Sequence, residues 1–175
     1  DIATIVMPTG TGKTETMLSL LIAAQCERLI VTVPSDSLRG QLSQKFCTLG
    51  LLKAFGIVLP TVEQPILGIL HERFKTGDEL REFIIGCNVI ITTMSCVSGY
   101  SDIMQKCISD LCSHYFIDEA HHTTASTWTE FIQRFSNSRV LQFTATPFRN
   151  DGAKLNGEII YNYPLRMAQE EHYFT

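Results

Sequence analysis

Residues 116–122, "FIDEAHH", place two carboxylates and two imidazoles at the end of a short apolar run. Two chemistries want such a set. Asp118, Glu119, His121 and His122 are residue types that ligate zinc. The same carboxylates also suit magnesium held through water, with a second carboxylate polarising an attacking water. Neighbouring residues alternate in direction, so these four groups do not readily converge on one zinc ion. A third reading is structural, an Asp-Glu pair capping a helix start. The choice among them rests on another part of the chain.

That part is "MPTGTGKT", residues 7–14, between an apolar run and a helical pattern. Gly10 and Gly12 let the backbone curl so that successive N–H groups point inward, and the following helix aims its positive end at the same spot. Lys13 reaches toward β- and γ-phosphates, the Thr14 hydroxyl suits magnesium, and Pro8, Thr9 and Thr11 complete the loop. The common phosphate-loop pattern has glycine five residues before Gly12, where this chain has Met7. The structural alternative is a Gly-rich turn with a solvated lysine, which does not account for Lys-Thr at the helix start. With a triphosphate in that loop, Asp118 is expected to hold Mg2+ through water and Glu119 to orient or deprotonate the attacking water.

Those residues need a sheet to position them. Apolar runs at 2–7, 28–33, 88–93, 114–119 and 139–145 read as buried strands, and helical patterns at 13–25, 36–50, 76–85, 95–112 and 124–135 alternate with them. Thr76 with Glu79 is a capping signal, and Gly99 marks an interruption. "FGIVLP" (55–60) reads as a further strand and 60–68 as loop. Alternating strands and helices, with the strands continuously apolar, predict an α/β fold: a mostly parallel sheet with helices on both faces. Residues 150–157 turn polar and Gly-rich, a loop leaving the core, and 158–165 read as an extended exit segment toward a neighbouring domain.

The chain has 175 residues, which suits one domain or one large lobe, 45% of them hydrophobic and 18% charged. Its net charge of −4 excludes a general basic footprint, so any nucleic acid must be held by local contacts. The six cysteines, at 26, 47, 87, 96, 107 and 112, form no CxxC pair and read as reduced, buried thiols of a cytosolic protein. A zinc site from Cys107, Cys112 and His114 is disfavoured. No apolar run approaches the roughly 20 residues that cross a bilayer. The chain opens at Asp1 directly on a strand, which reads as an N-terminally truncated lobe.

Together "MPTGTGKT", "FIDEAHH" and "FTATPFRNDG" (143–152) resemble the first motor lobe of superfamily 2 helicases of the DEAD/DEAH kind. Within it the chain is most similar to the helicase subunits of type III restriction enzymes and their bacterial relatives, including the tail 159–174. The resemblance implies a RecA-like P-loop NTPase domain at 1–149, with 150–175 leading to a second RecA-like lobe of the same polypeptide. It implies ATP and Mg2+ as ligands, with Gly10, Gly12, Lys13 and Thr14 on phosphate and metal and Asp118 and Glu119 as metal and water residues. It makes His121 a link to the neighbouring lobe and Thr144 and Thr146 the coupling residues; His122 has no assigned role. Nucleic acid, DNA rather than RNA, is expected at Pro34, Ser35 and Arg39 in "VPSDSLRGQ" and at Thr93 in "ITTMS". The implied function is a nucleic-acid-dependent ATPase, a helicase or translocase of the cytoplasm, nearly inactive as an isolated lobe. A regulatory or scaffolding nucleotide-binding module is the alternative. A kinase or transporter ATPase leaves AHH and TATP unexplained.

Overall fold

A computed structural model describes residues 1–122, 126–150 and 152–171. The first half runs β1 (Ile2–Val6), α1 (Lys13–Ala23), β2 (Leu29–Val33), α2 (Asp36–Thr48), β3 (Leu67–Leu70), α3 (Gly77–Ile85), β4 (Val89–Thr93) and α4 (Met94–Val97). It continues with α5 (Asp102–Leu111), β5 (His114–Ile117), a 3-10 turn (Ala120–His122), α6 (Ser126–Gln133), β6 (Arg139–Thr144), β7 (Glu158–Asn162) and α7 (Leu165–Glu170). Residues 124 and 125, where the fifth expected helix was to begin, lie outside the described residues, as do 172–174 of the tail.

Seven parallel strands form one sheet in the order β3-β4-β2-β5-β6-β1-β7. The strands are continuously apolar because both faces are covered. On one face Met17, Leu18 and Leu21 of α1 and Leu42 and Phe46 of α2 pack on Ile5, Val31, Phe116 and Phe143. On the other, Leu80, Ile84, Ile108 and Phe131 of α3, α5 and α6 pack on Ile30, Ile90, Tyr115 and Val140. Side chains facing the strand's two sides alternate, so Leu29 and Val31 belong to the first cluster and Ile30 to the second.

Local chemistry sets the helix ends. Ser35 caps α2 by accepting from Leu38 N, and Thr76 with Glu79 forms the expected capping box on α3. The long helix expected at 95–112 is two helices: α4 ends at Val97 and Ser101 caps α5. Gly99 lies between them, and the Arg73 guanidinium occupies the space where a Cβ would stand.

Three expectations are corrected. "FGIVLP" is a run of turns, with Gly56 at φ 66° and Ile57 N bonded back to Leu52 O. Phe55, Ile57 and Leu59 are exposed, so their apolar character marks no strand. The edge strand is instead β3, overlapping the stretch expected as loop, and Gly68 disguised it. The thiols are all free, but Cys47 is exposed and Cys96 and Cys107 only partly covered, since each lies on or beside a helix whose apolar face points elsewhere. Residues 158–162, expected to be extended, are so: they form β7 and join the sheet beside β1, Asn162 opposite Val6. Among the described residues no helix is long and apolar enough to cross a membrane.

Candidate functional site

Three strand ends meet at one place, because β6 lies between β1 and β5 and all three run in the same direction. In open α/β sheets, ligands bind at the carboxyl ends of the strands. The loop after β1 is tied to β6 at once, Met7 N donating to Thr144 O at 2.8 Å. Met7 itself is buried beside α1, and the Thr16 hydroxyl lies 3.6 Å from its sulfur. A side chain at the pattern's first glycine position is therefore absorbed by the core. Pro8 is buried, and its carbonyl accepts from Thr11 N and from the Thr11 hydroxyl at 2.7 Å, while Thr9 is exposed. Gly10 (φ 85°) and Gly12 (φ 95°) take the left-handed conformation that the curl requires. Gly12 also opens α1, where no side chain caps the first turn, so its amides are left for an anion.

Lys13, buried at the start of α1, forms an ion pair with Glu119 Oε1. Thr14 follows it, half-buried. Asp118 prolongs β5, its N–H bonded to Thr32 O at 2.9 Å, and its Oδ1 accepts from Glu119 N at 3.0 Å. Burial pushes the Asp118 carboxyl up to about 6; the Glu119 charge adds to this and Lys13 opposes it. Glu119 sits at φ 50°, a conformation side chains rarely adopt, which turns its carboxylate toward Lys13. Its Oε2 is buried without a hydrogen bond, 3.4 Å from His121 Nδ1.

His121 is held from the β6 side. Its Nδ1 lies 3.2 Å from Thr144 Oγ1, whose hydroxyl donates to Thr146 O at 2.7 Å and accepts from Thr146 N at 3.2 Å. The single Thr144 proton is used on Thr146 O, so Nδ1 of His121 carries the hydrogen and donates. Burial lowers the His121 pKa, the neighbouring His122 lowers it further and Glu119 opposes, so the ring is neutral at pH 7. His122 faces away, 3.0 Å from the Asn150 side-chain amide, whose backbone N–H donates to His121 O at 2.9 Å.

Each imidazole spends its Nδ1 on the protein, and among the described residues no three His, Cys, Asp or Glu side chains converge as a zinc cage requires. A hard divalent ion fits better: the groups at hand are the Asp118 carboxylate, one oxygen of which accepts from Glu119 N, the Thr14 hydroxyl and the unpartnered Glu119 Oε2, all oxygen donors suited to magnesium.

A second concavity lies at the carboxyl ends of β2, β3 and β4, a cleft of about 370 Å³ lined by Asp36, Arg39, His71, Glu72, Arg73, Thr93, Ser95 and Cys96. It unites Arg39 and Thr93 from the expected nucleic-acid set. Arg39 pairs with Asp36 at 2.7 Å, and Arg73 donates to Gly99 O at 3.0 Å. The other two expected residues are not among its lining: Pro34 is half-buried, and exposed Ser35 spends its hydroxyl on the α2 cap. Thr93 is buried and caps α4, its hydroxyl 3.0 Å from Ser95 Oγ. Sequence reasoning missed His71, Arg73 and Ser95. The signal was "HER" directly after β3, overlooked because β3 itself was.

The seven-stranded parallel sheet with helices on both faces is the RecA-like α/β fold found in helicase domains. The family described as type III restriction enzyme, res subunit, matches residues 1–149, and the chain belongs to it. The match stops before 159–174. Two solved structures share the fold. The helicase domain of Hef from Pyrococcus furiosus is 23% identical, with a TM-score of 0.57 over 83% of this chain and 30% of that one. The UvsW helicase from bacteriophage T4 is 13% identical, with a TM-score of 0.57 over 83% of this chain and 47% of that one. The chain therefore spans less than half of either structure. No curated protein matches the sequence.

Proposed function

We propose that the chain is the nucleotide-binding lobe of a DEAH-type ATPase that moves on nucleic acid, DNA rather than RNA, and that works with a second RecA-like lobe in the cytoplasm. The observation that carries this reading is the partly buried Lys13–Glu119–His121–Thr144 chain of contacts, which links the phosphate loop to the acidic strand end and to the loop after β6. The amides at Gly10–Thr14 cradle the phosphates, and Lys13 neutralises the β- and γ-phosphate charge. Thr14 and Asp118 would hold a magnesium ion, which would supply charge neutralisation along the phosphates. Glu119 orients the attacking water and takes its proton.

In this structure Lys13 is paired with Glu119, so an arriving γ-phosphate exchanges one anionic partner of Lys13 for another. That exchange frees Glu119 for water at the moment the substrate is in place. His121, neutral and donating to Thr144, passes the change toward Thr146. The cleft at Arg39, Arg73 and Thr93 holds the nucleic-acid backbone by charge and hydroxyl contacts that position without reading sequence. A second lobe supplies further cationic groups, and arginine fingers are worth roughly 10³–10⁵ in related phosphoryl transfers, so the chain alone hydrolyses ATP slowly.

The test is calorimetric titration of Mg·ATP into the chain and its Lys13→Ala and Glu119→Gln variants, with single-turnover hydrolysis on the same samples. Lys13→Ala loses binding. Glu119→Gln keeps it and slows hydrolysis by about 10²-fold or more. Parental hydrolysis by Glu119→Gln, or undiminished binding by Lys13→Ala, would overturn the assignment.

A further inference from the structure

The segment after β6 is a small hairpin. Leu155 N donates to Pro147 O at 3.1 Å, Phe148 bridges Lys154, and Arg149 N donates to Ala153 O at 2.7 Å. Gly152 N closes the turn on Arg149 O at 2.9 Å, with Gly152 itself at φ 82°. Leu155 is buried in the core and anchors one end. Thr144 and Thr146, bonded to each other, begin the other end.

The tip of this hairpin does not stand free. Asn150 reaches the 3-10 turn twice, by its N–H to His121 O at 2.9 Å and by its side-chain amide to His122 Nδ1 at 3.0 Å. The backbone bond fixes the carbonyl of the residue whose ring faces Glu119 and Thr144. The side-chain bond fixes the next residue, which has no part in the chemistry described above. The two histidine rings lie against each other, centroids 4.2 Å apart and tilted by 37°, so holding His122 restricts the His121 ring.

We propose that Asn150 and His122 form a positioning clamp that locks the hairpin tip to the 3-10 turn and so keeps His121 presented to Glu119 and Thr144. His122 thereby acts through His121 and touches no reacting atom. The clamp makes the hairpin and the Asp118–His122 turn one body, so a shift of His121 on phosphate loss moves the hairpin with its exposed Phe148. This rests on the proposed ATPase function for its consequence in turnover, but not for the existence of the clamp.

Two readouts separate the two. The first is hydrogen–deuterium exchange of the 146–155 amides in the chain itself. His122→Ala and Asn150→Ala accelerate exchange at the hairpin tip about 5-fold or more, and the double variant exchanges no faster than the worse single one. His122→Asn, whose Oδ1 lies where Nδ1 does, restores slow exchange. Unchanged exchange in His122→Ala overturns the clamp, whatever the ATPase result. The second is nucleic-acid-stimulated ATP turnover by the complete polypeptide. His122→Ala lowers kcat by about 5–20-fold with KM for ATP within about 2-fold, and His122→Asn recovers most of it. Faster exchange with parental kcat overturns the positioning role. A parent that shows no stimulated turnover at all counts against the function proposed above, and exchange still decides the clamp.

Discussion

At the scale of single residues, the candidate site is a set of charges held out of water. Asp118 is the clearest case: only 9% exposed and pushed up to about 6 from its ordinary 3.8, chiefly by burial. A carboxyl whose pKa rises on folding favours the folded state below its unfolded value, and that contribution is lost as pH rises through the folded one. Above pH 6 the ionised group costs about 1–3 kcal/mol unless a cation compensates. Asp118→Asn is therefore expected to melt higher than the parent at pH 7.5 without magnesium, to match it below pH 4, and to lose Mg2+-dependent nucleotide binding. Melting curves at the two pH values check this; a variant less stable at pH 7.5 would show that Asp118 supports the fold. The residues of this site were legible in the sequence, since glycines, lysine and the acid pair have fixed spacing. Their bonds were not. Nothing in "DEAHH" foretells that the second histidine meets Asn150, because that contact depends on where a loop 28 positions away folds back.

Elements were legible wherever strands were buried on both faces, which gives the long apolar runs at β1, β2, β4, β5 and β6. The edge was not. β3 has a half-covered pattern, with Ile69 exposed, and a glycine in its middle, so apolar content pointed to "FGIVLP" instead. The structure supplies the physical reason for that glycine. A Cβ on Gly68 would lie 2.5 Å from Cys87 Sγ and 2.8 Å from Phe83 Cζ at the end of α3. Gly68→Ala is expected to destabilise the chain by about 1–3 kcal/mol, the usual cost of overpacking. Cys87→Ala, by removing the nearer obstacle, should recover part of the loss in the double variant. Additive losses in denaturant titration would mean that the two side chains do not share the space. Because β3 carries "HER" into the second cleft, its placement also decides where Arg73 stands.

For the whole molecule the relevant quantity is charge. The chain carries −4, yet two arginines line the cleft opposite Asp36 and Glu72. On the function proposed above, a single strand held in this cleft would make few phosphate contacts, each releasing about 0.7 of a counterion. The slope of log affinity against log salt is expected to be shallow, about −1 to −2, and Arg73→Ala should flatten it by about 0.7. A filter-binding series across salt concentrations measures both. A slope steeper than about −4 would place the nucleic acid on other surfaces.

The strand order also bears on how the chain is made. β1 leads into the Gly10–Gly12 loop and precedes the other strands of this sheet, but both of its sheet neighbours lie more than 130 residues later: Ile2 pairs with Val140, and Ala3 with Glu158. Every other strand that precedes β6 finds a partner within the stretch from Leu29 to Ile117. During synthesis the half-sheet of β2, β3, β4 and β5 is therefore complete while β1 waits unpaired, its backbone donors satisfied by water. Closing that longest of loops is the slow, entropically costly step of such topologies. The candidate site thus assembles last, and a ribosome-bound chain halted between Glu119 and β6 has the acidic strand end but not yet the sheet that sets the loop after β1 beside it.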